Sequence, residues 1–224
     1  MTYGISTITN ANDEVIIDDT HVPLRIVAEG TIARDGNNQY RIPVPSGLPG
    51  DPIVFIAWPI GPDVYVNSGI SGGTYTVTAA LGNGSPSLSY YVCAVDPINA
   101  LGVGYGMAIY NAAGQIVFSS GVKHMRMVGL INAIGTGTQV ESPGPFTHNS
   151  TPTLYPMTVP RVRVIGSVPP QQLPPFGGWV IAGGRRVSAT SFDFEVIQTV
   201  PKNQILGLGY PIGGSEFLLI GSVI

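Results

Sequence analysis

The sequence predicts an all-β fold, and more narrowly two tandem antiparallel β-sandwich modules of the immunoglobulin-like kind, each opening with a β-hairpin. Three observations carry that expectation. Gly (30) and Pro (20) punctuate the 224 residues so densely that helix signals are almost absent. The apolar segments between them are short and rich in Val, Ile, Tyr and Thr, the residues that suit a pleated, half-buried surface. And one hairpin-like phrase occurs twice, as YGISTITNANDEVIIDD from Tyr3 and as YGMAIYNAAGQIVFSSG from Tyr105.

Taken in order, the first half offers strands at GISTIT, EVIID, PLRIVAE, QYRIPV, PIVFIAW, DVYVN, TYTVTAAL and SLSYYVCAV. The second offers GMAIYN, QIVFS, HMRMVGLI, PRVRVIGSV, GWVIAG, SFDFEVIQT and SEFLLIGSV. Short strands with regular turn signals indicate antiparallel sandwiches or barrels. In each copy of the repeated phrase an Asn enters the turn (Asn10, Asn111) and Asp13 or Gly114 closes it. Tight hairpins need such residues, because they accept positive φ or bond their own backbone. One gap then aligns Glu14 with Gln115, Arg25 with Arg126 and Val27 with Val128. The expected organisation is a tandem duplication, residues 1–102 and 103–224, with the boundary near Pro97 to Gly104.

Composition narrows the function classes. Hydrophobic residues make up 44%, enough for a substantial core, but charged residues only 10%, far below the roughly 25% of an ordinary soluble domain. A surface so poor in charge is expected to be covered by other subunits. The net charge of -3 argues against nucleic acid as a partner. The start, MTYGISTITNANDE, lacks the basic and apolar regions of a signal peptide, and no apolar run reaches the roughly 18 residues of a membrane helix. The expectation is synthesis in the cytoplasm without membrane insertion.

The second copy fits the pattern Y-G-x-x-h-x-N-x-x-G-x-h-h-h-[DS], with h apolar, through Tyr105, Gly106, Asn111, Ala112, Gly114, Gln115 and Phe118. That pattern resembles the opening of a group of small virion proteins of tailed bacteriophages. The first copy departs from it, with Asp13 in place of the Gly and one extra residue in the first strand. The resemblance covers about 25 residues of each half. It implies a structural component of the tail tip, baseplate or fibre region, made in the bacterial host and located in the virion. Its partners would be other phage tail proteins. It carries no catalytic residues or cofactor over to this chain.

His21, His124 and His148 show no metal-binding spacing, and the lone Cys93 excludes a cysteine cluster. Asp18, Asp19 and His21 stand together in IIDDTH, where a solvated strand end is the commoner reading than a proton-transfer pair or cation site. No G-x-S-x-G elbow or phosphate-cradling glycine loop is present. Glycan hydrolysis needs two carboxylates facing across a cleft, and the spacing of the acids gives no support for it. Trp58, Tyr65, Tyr75, Tyr90 and Tyr91 could line a sugar-binding face, but they lie in strand patterns where core packing is commoner. No enzyme and no cofactor is therefore expected.

Interface residues are the remaining candidates. Arg25 and Arg126 each follow a hairpin at the same interval, flanked by apolar residues, and are expected to play equivalent roles against an acid or carbonyl of an adjacent module or subunit. Phe176 and Trp179 flank two glycines in VPPQQLPPFGGW, a proline-stiffened loop suited to docking. Arg185 and Arg186 form a small basic spot. Residues 1–102 hold nine acids against three arginines, net -6, and residues 103–224 hold seven bases against four acids, net +3. Opposite charge on related modules favours head-to-tail homo-oligomers, with a trimer offering six similar faces between a trimeric tip and a hexameric tube. A module that binds a host-surface glycan or protein receptor is the competing expectation.

Overall fold

A computed structural model describes residues 7–9, 15–18, 23–48, 50–61, 63–80, 85–95, 106–135, 146–147, 156–159, 163–168, 178–188, 191–201 and 214–223. Those residues form strands and connections without a helix. In the first half lie β1 (Thr7–Thr9), β2 (Val15–Asp18), β3 (Arg25–Ala33), β4 (Gln39–Pro43), β5 (Ile53–Ile56), β6 (Val64–Ser71), β7 (Thr74–Ala80) and β8 (Ser87–Ala94). The second half contributes β9 (Ala108–Tyr110), β10 (Ile116–Ser119), β11 (Met125–Gly135), β12 (Phe146–Thr147), β13 (Met157–Thr158), β14 (Arg163–Val168), β15 (Gly178–Arg186), β16 (Ser191–Pro201) and β17 (Gly214–Val223). All fifteen expected strands are present, and every pairing is antiparallel. Only the two-residue β12 and β13 escaped the sequence reading, because two residues show no periodicity.

β1–β2 and β9–β10 form separate two-stranded sheets. The rest assemble into a six-stranded sheet, β11-β17-β13-β5-β8-β3, and a seven-stranded sheet, β12-β16-β15-β6-β7-β4 with β14 beside β15. Both large sheets take strands from either side of residue 102, while the segment from Pro97 to Gly104 lies outside the described residues. Each order reads the same from its centre outward. β5-β8-β3 is answered by β13-β17-β11, and β6-β7-β4 by β15-β16-β12. The central pairs are Ile56 with Met157 and Phe55 with Thr158 in one sheet, and Tyr65 with Gly184 in the other.

The sheets pack face to face, as in a sandwich. Tyr40, Ile42, Tyr65, Tyr75 and Val77 from one meet Val54, Ile56, Leu88, Tyr90, Val92, Leu218 and Ile220 from the other. On the second face of the six-stranded sheet its own strands pack together, Phe55, Cys93 and Met125 with Leu24, Ile26 and Leu219. That explains IVFI in β5, an unbroken apolar run: Val54 and Ile56 face one core and Phe55 the other.

The turns account for the repeated motif. In the second hairpin Asn111 Oδ1 accepts the N–H of Ala113 (3.0 Å) and of Gln115 (2.9 Å), and its Nδ2 donates to Gln115 Oε1 (2.8 Å). Gly114 closes the turn with φ 77°. A Cβ on Gly106 would lie 2.5 Å from Ser120 Oγ, which accepts the N–H of Met107 (2.8 Å). Asp35 repeats the Asn111 device between β3 and β4, accepting the N–H groups of Asn37 (2.8 Å) and Gln39 (2.9 Å).

Candidate functional site

The side chains with chemistry gather at two seams where the halves of the chain meet. The central seam lies at the β5–β13 and β6–β15 junctions. Arg186, at the end of β15, is 1% exposed. Its Nη1 donates to the Trp58 carbonyl (3.0 Å) and its Nε to the Ser188 carbonyl (2.9 Å). A buried guanidinium needs such acceptors, because desolvation would otherwise dominate. Burial pulls its pKa below the ordinary arginine value, but Arg remains a cation.

Trp58 is fully buried and donates Nε1–H to the Met157 carbonyl (3.3 Å). Its ring lies 5.6 Å from that of Tyr65, which lies 6.3 Å from Tyr40. The Tyr65 hydroxyl donates to Asp63 Oδ2 (3.4 Å), and that of Tyr40 donates to the Ser85 carbonyl. Burial first, then the Asp63 carboxylate, pushes the Tyr65 phenol above its ordinary range, and burial does the same to Tyr40. Both phenols therefore stay protonated and serve as donors. Such a cluster joins two halves and orders a core; it presents no reactive group to solvent.

The second seam is where β3 and β11, the two edges of the six-stranded sheet, touch at their starts. Ile26 N–H donates to the Lys123 carbonyl (3.0 Å) and Met125 N–H to the Leu24 carbonyl (2.7 Å), with Arg25 opposite His124. The sheet thus curls back on itself at this end. His124 is 2% exposed, stacks on Phe118 of β10 (centroids 5.0 Å, 20° between planes) and bonds the Ser119 carbonyl through Nε2 (3.1 Å). Its Nδ1 is buried without a hydrogen-bond partner among the described residues. Burial holds its pKa below the ordinary histidine value against the opposing pull of the Ser119 hydrogen bond, and Arg25 adds to the lowering. On the surface of the seam Lys123 pairs with Glu29.

The expected interface residues are distributed unevenly over this geometry. Arg25 is half-buried at the second seam, and Arg126 is exposed on β11 opposite Ser222. Arg185 is half-buried on β15, and Arg186 makes its contacts inside the chain. Trp179 lies in β15, opposite Ser167 and Val200, and Phe176 lies outside the described residues. Of the aromatics weighed as a sugar platform, Trp58, Tyr65, Tyr75 and Tyr90 are buried and Tyr91 is half-buried. Asp18 ends β2, while Asp19 and His21 lie outside the described residues. The Cys93 thiol is buried, and burial pushes it up to about 12, so it is a poor nucleophile at neutral pH.

His124 is the side chain that sequence reasoning passed over, having tested it only for metal spacing. The available signal was its place in the repeat, where the first copy has Pro23, an apolar residue. Among the described residues no group of His, Cys, Asp and Glu side chains could hold a metal ion. Comparison with family models, with curated proteins and with solved structures gave no match.

Proposed function

We propose that this chain is a non-enzymatic structural component of a phage virion, in the tail tip or baseplate, that works through subunit contacts, and that it arose by tandem duplication of one sandwich module. The observation that carries the reading is the repeated hairpin and its place in the fold. Each hairpin is followed by an edge strand that pairs with the last strand of its own half, β3 with β8 and β11 with β17. At the second seam Leu24 meets Met125, its equivalent in the repeat. A residue that pairs with its own equivalent is what an approximate two-fold axis requires. Low charge and the exposed apolar residues Met127, Val128 and Leu130 on β11 support a surface that is covered in an assembly.

Self-association belongs to this proposal, with the trimer as its favoured form. A two-fold relation between halves adds a constraint. Three copies would present their six faces alternately up and down, which suits a connector between two layers better than a six-fold ring. Light scattering at low and high salt tests self-association. A concentration-dependent rise in mass is expected, and a strict monomer at low salt and high concentration would leave only assembly on other subunits. Labelled electron micrographs of intact virions test the location. Label at the tail tip supports the reading, label at an exposed distal tip alone favours receptor binding, and absence of label from virions overturns both.

A further inference from the structure

The seam between β3 and β11 holds a histidine in a setting that favours its neutral form. The Nε2–H of His124 is committed to the Ser119 carbonyl (3.1 Å), which leaves Nδ1 as an acceptor in an apolar setting against Phe118. A proton on Nδ1 would find no acceptor among the described residues. The charged groups around the ring are also unfavourable. From β3 come Arg25, directly opposite, and Glu29; from the approach to β11 comes Lys123, which takes Glu29 for itself at the surface. The described part of the β9–β10 hairpin, residues 106–120, contains no charged residue, and neither do residues 87–94 of β8 or Gly221–Val223 of β17. No carboxylate therefore faces the imidazole from any described element packed against it.

We propose that His124 is an acid-sensitive latch: at neutral pH it fastens the β9–β10 hairpin and the start of β11 to β3, and mild acidification opens this seam while the central seam stays closed. The ring holds the hairpin through the Phe118 stack and the Ser119 carbonyl, and what opposes its protonation is the buried Nδ1 without an acceptor together with Arg25 opposite. Among the described residues two backbone hydrogen bonds join this seam, Leu24 and Ile26 to Met125 and Lys123. Opening would expose Phe118 and Met125 together with the edges of β3 and β11, which are the groups a neighbouring strand could pair with.

The sign follows from linkage. In the open state the imidazole is solvated and takes up a proton near pH 6.5, whereas the closed state holds its pKa lower. Closure is complete above pH 6.5 and weakens as pH falls through it. The loss levels off once the closed form also protonates. Between pH 7.5 and 5.5 the opening constant rises by up to about tenfold.

Amide hydrogen exchange on the full chain, corrected for intrinsic rates at each pH, reads this directly. Protection of Ile26 and Met125 should fall by up to about tenfold from pH 7.5 to 5.5, while that of a central-seam amide, Gly61, whose N–H bonds the Arg186 carbonyl (3.3 Å), does not. His124→Phe, which keeps the ring stack and cannot titrate, should abolish the difference, and His21→Gln with His148→Gln should retain it. An equal fall in His124→Phe, or no fall in the wild-type chain, overturns the latch. Should His124→Phe fail to fold, an NMR titration of the wild-type imidazole decides. A midpoint below the ordinary histidine value, tracked by the Ile26 and Met125 amides, supports the proposal; a midpoint at or above it, or amides that do not follow, sinks it.

Discussion

The two seams join the same halves and differ in what is buried between them. The central seam buries a permanent cation, Arg186, and satisfies it with two carbonyl oxygens. The second seam buries a conditional one, His124, with a single carbonyl partner and Arg25 opposite. The cation of the first arrangement keeps its charge at every pH below the arginine range. The second depends on the imidazole staying neutral. The same pair of sheets thus holds one junction that is fixed and one that is adjustable, and the difference rests on a few side chains rather than on strand pairing.

The largest expected effect comes from emptying the central seam. Trp58→Ala removes a fully buried ring that touches Tyr65 and loses the bond to the Met157 carbonyl. A loss of about 3–5 kcal/mol is expected, as for other buried aromatic truncations. Urea unfolding at pH 7.5 measures it, and a loss under about 1 kcal/mol would show that this seam does not hold the halves together.

How far the sequence foretold this division can be seen from single residues. Period-two alternation and glycine punctuation sufficed to place β4, whose buried positions alternate throughout, and β8, which alternates as far as Val92 before Cys93 and Ala94 are buried as well. The Asn-x-x-Gly phrase foretold the Asn111 turn, because its chemistry is local and complete within five residues. Arg186 could not be read in the same way. Its partner Trp58 lies 128 residues away, and the dipeptide Arg185-Arg186 looks like a surface spot until β15 is laid beside β6. His124 was illegible for a related reason: its role depends on β3 and β11 meeting across a sheet whose order no periodicity encodes.

A second test sharpens the comparison by changing the fixed cation. Arg186→Met keeps most of the apolar stem and removes the two hydrogen bonds to the carbonyls of Trp58 and Ser188. A loss of about 2 kcal/mol is expected from these two charge-assisted bonds. The loss should be the same at pH 7.5 and 5.5, since the guanidinium keeps its charge throughout that window. A cost that grows on acidification would mean that the two seams are coupled.

A smaller effect is expected outside both seams, in the hairpin that His124 holds. Asn111→Ala removes the acceptor for two backbone N–H groups and the bond to Gln115, all at exposed positions. The expected loss is about 1 kcal/mol, because water replaces part of what is lost. It should appear as lower exchange protection of Ser120, whose N–H bonds the Met107 carbonyl (2.9 Å), with the central seam unchanged.

The smallest effect should come from the charge pair on the rim of the second seam. Lys123 and Glu29 are 60% and 40% exposed at their side chains, so their attraction is heavily screened. Each comes from the half whose net charge it shares, Glu29 from the acidic first half and Lys123 from the basic second. That makes the pair a direct probe of whether charge asymmetry between the halves stabilises the monomer or is left for assembly. Lys123→Ala should cost no more than about 0.5 kcal/mol at low salt and nothing measurable at 0.5 M salt. If the cost exceeds about 1 kcal/mol and persists in salt, the asymmetry acts inside the chain, and the second seam is held by charge as well as by its histidine. With the small outcome, the asymmetry remains free to steer one subunit toward the next, where potential over a whole face counts for more than one pair.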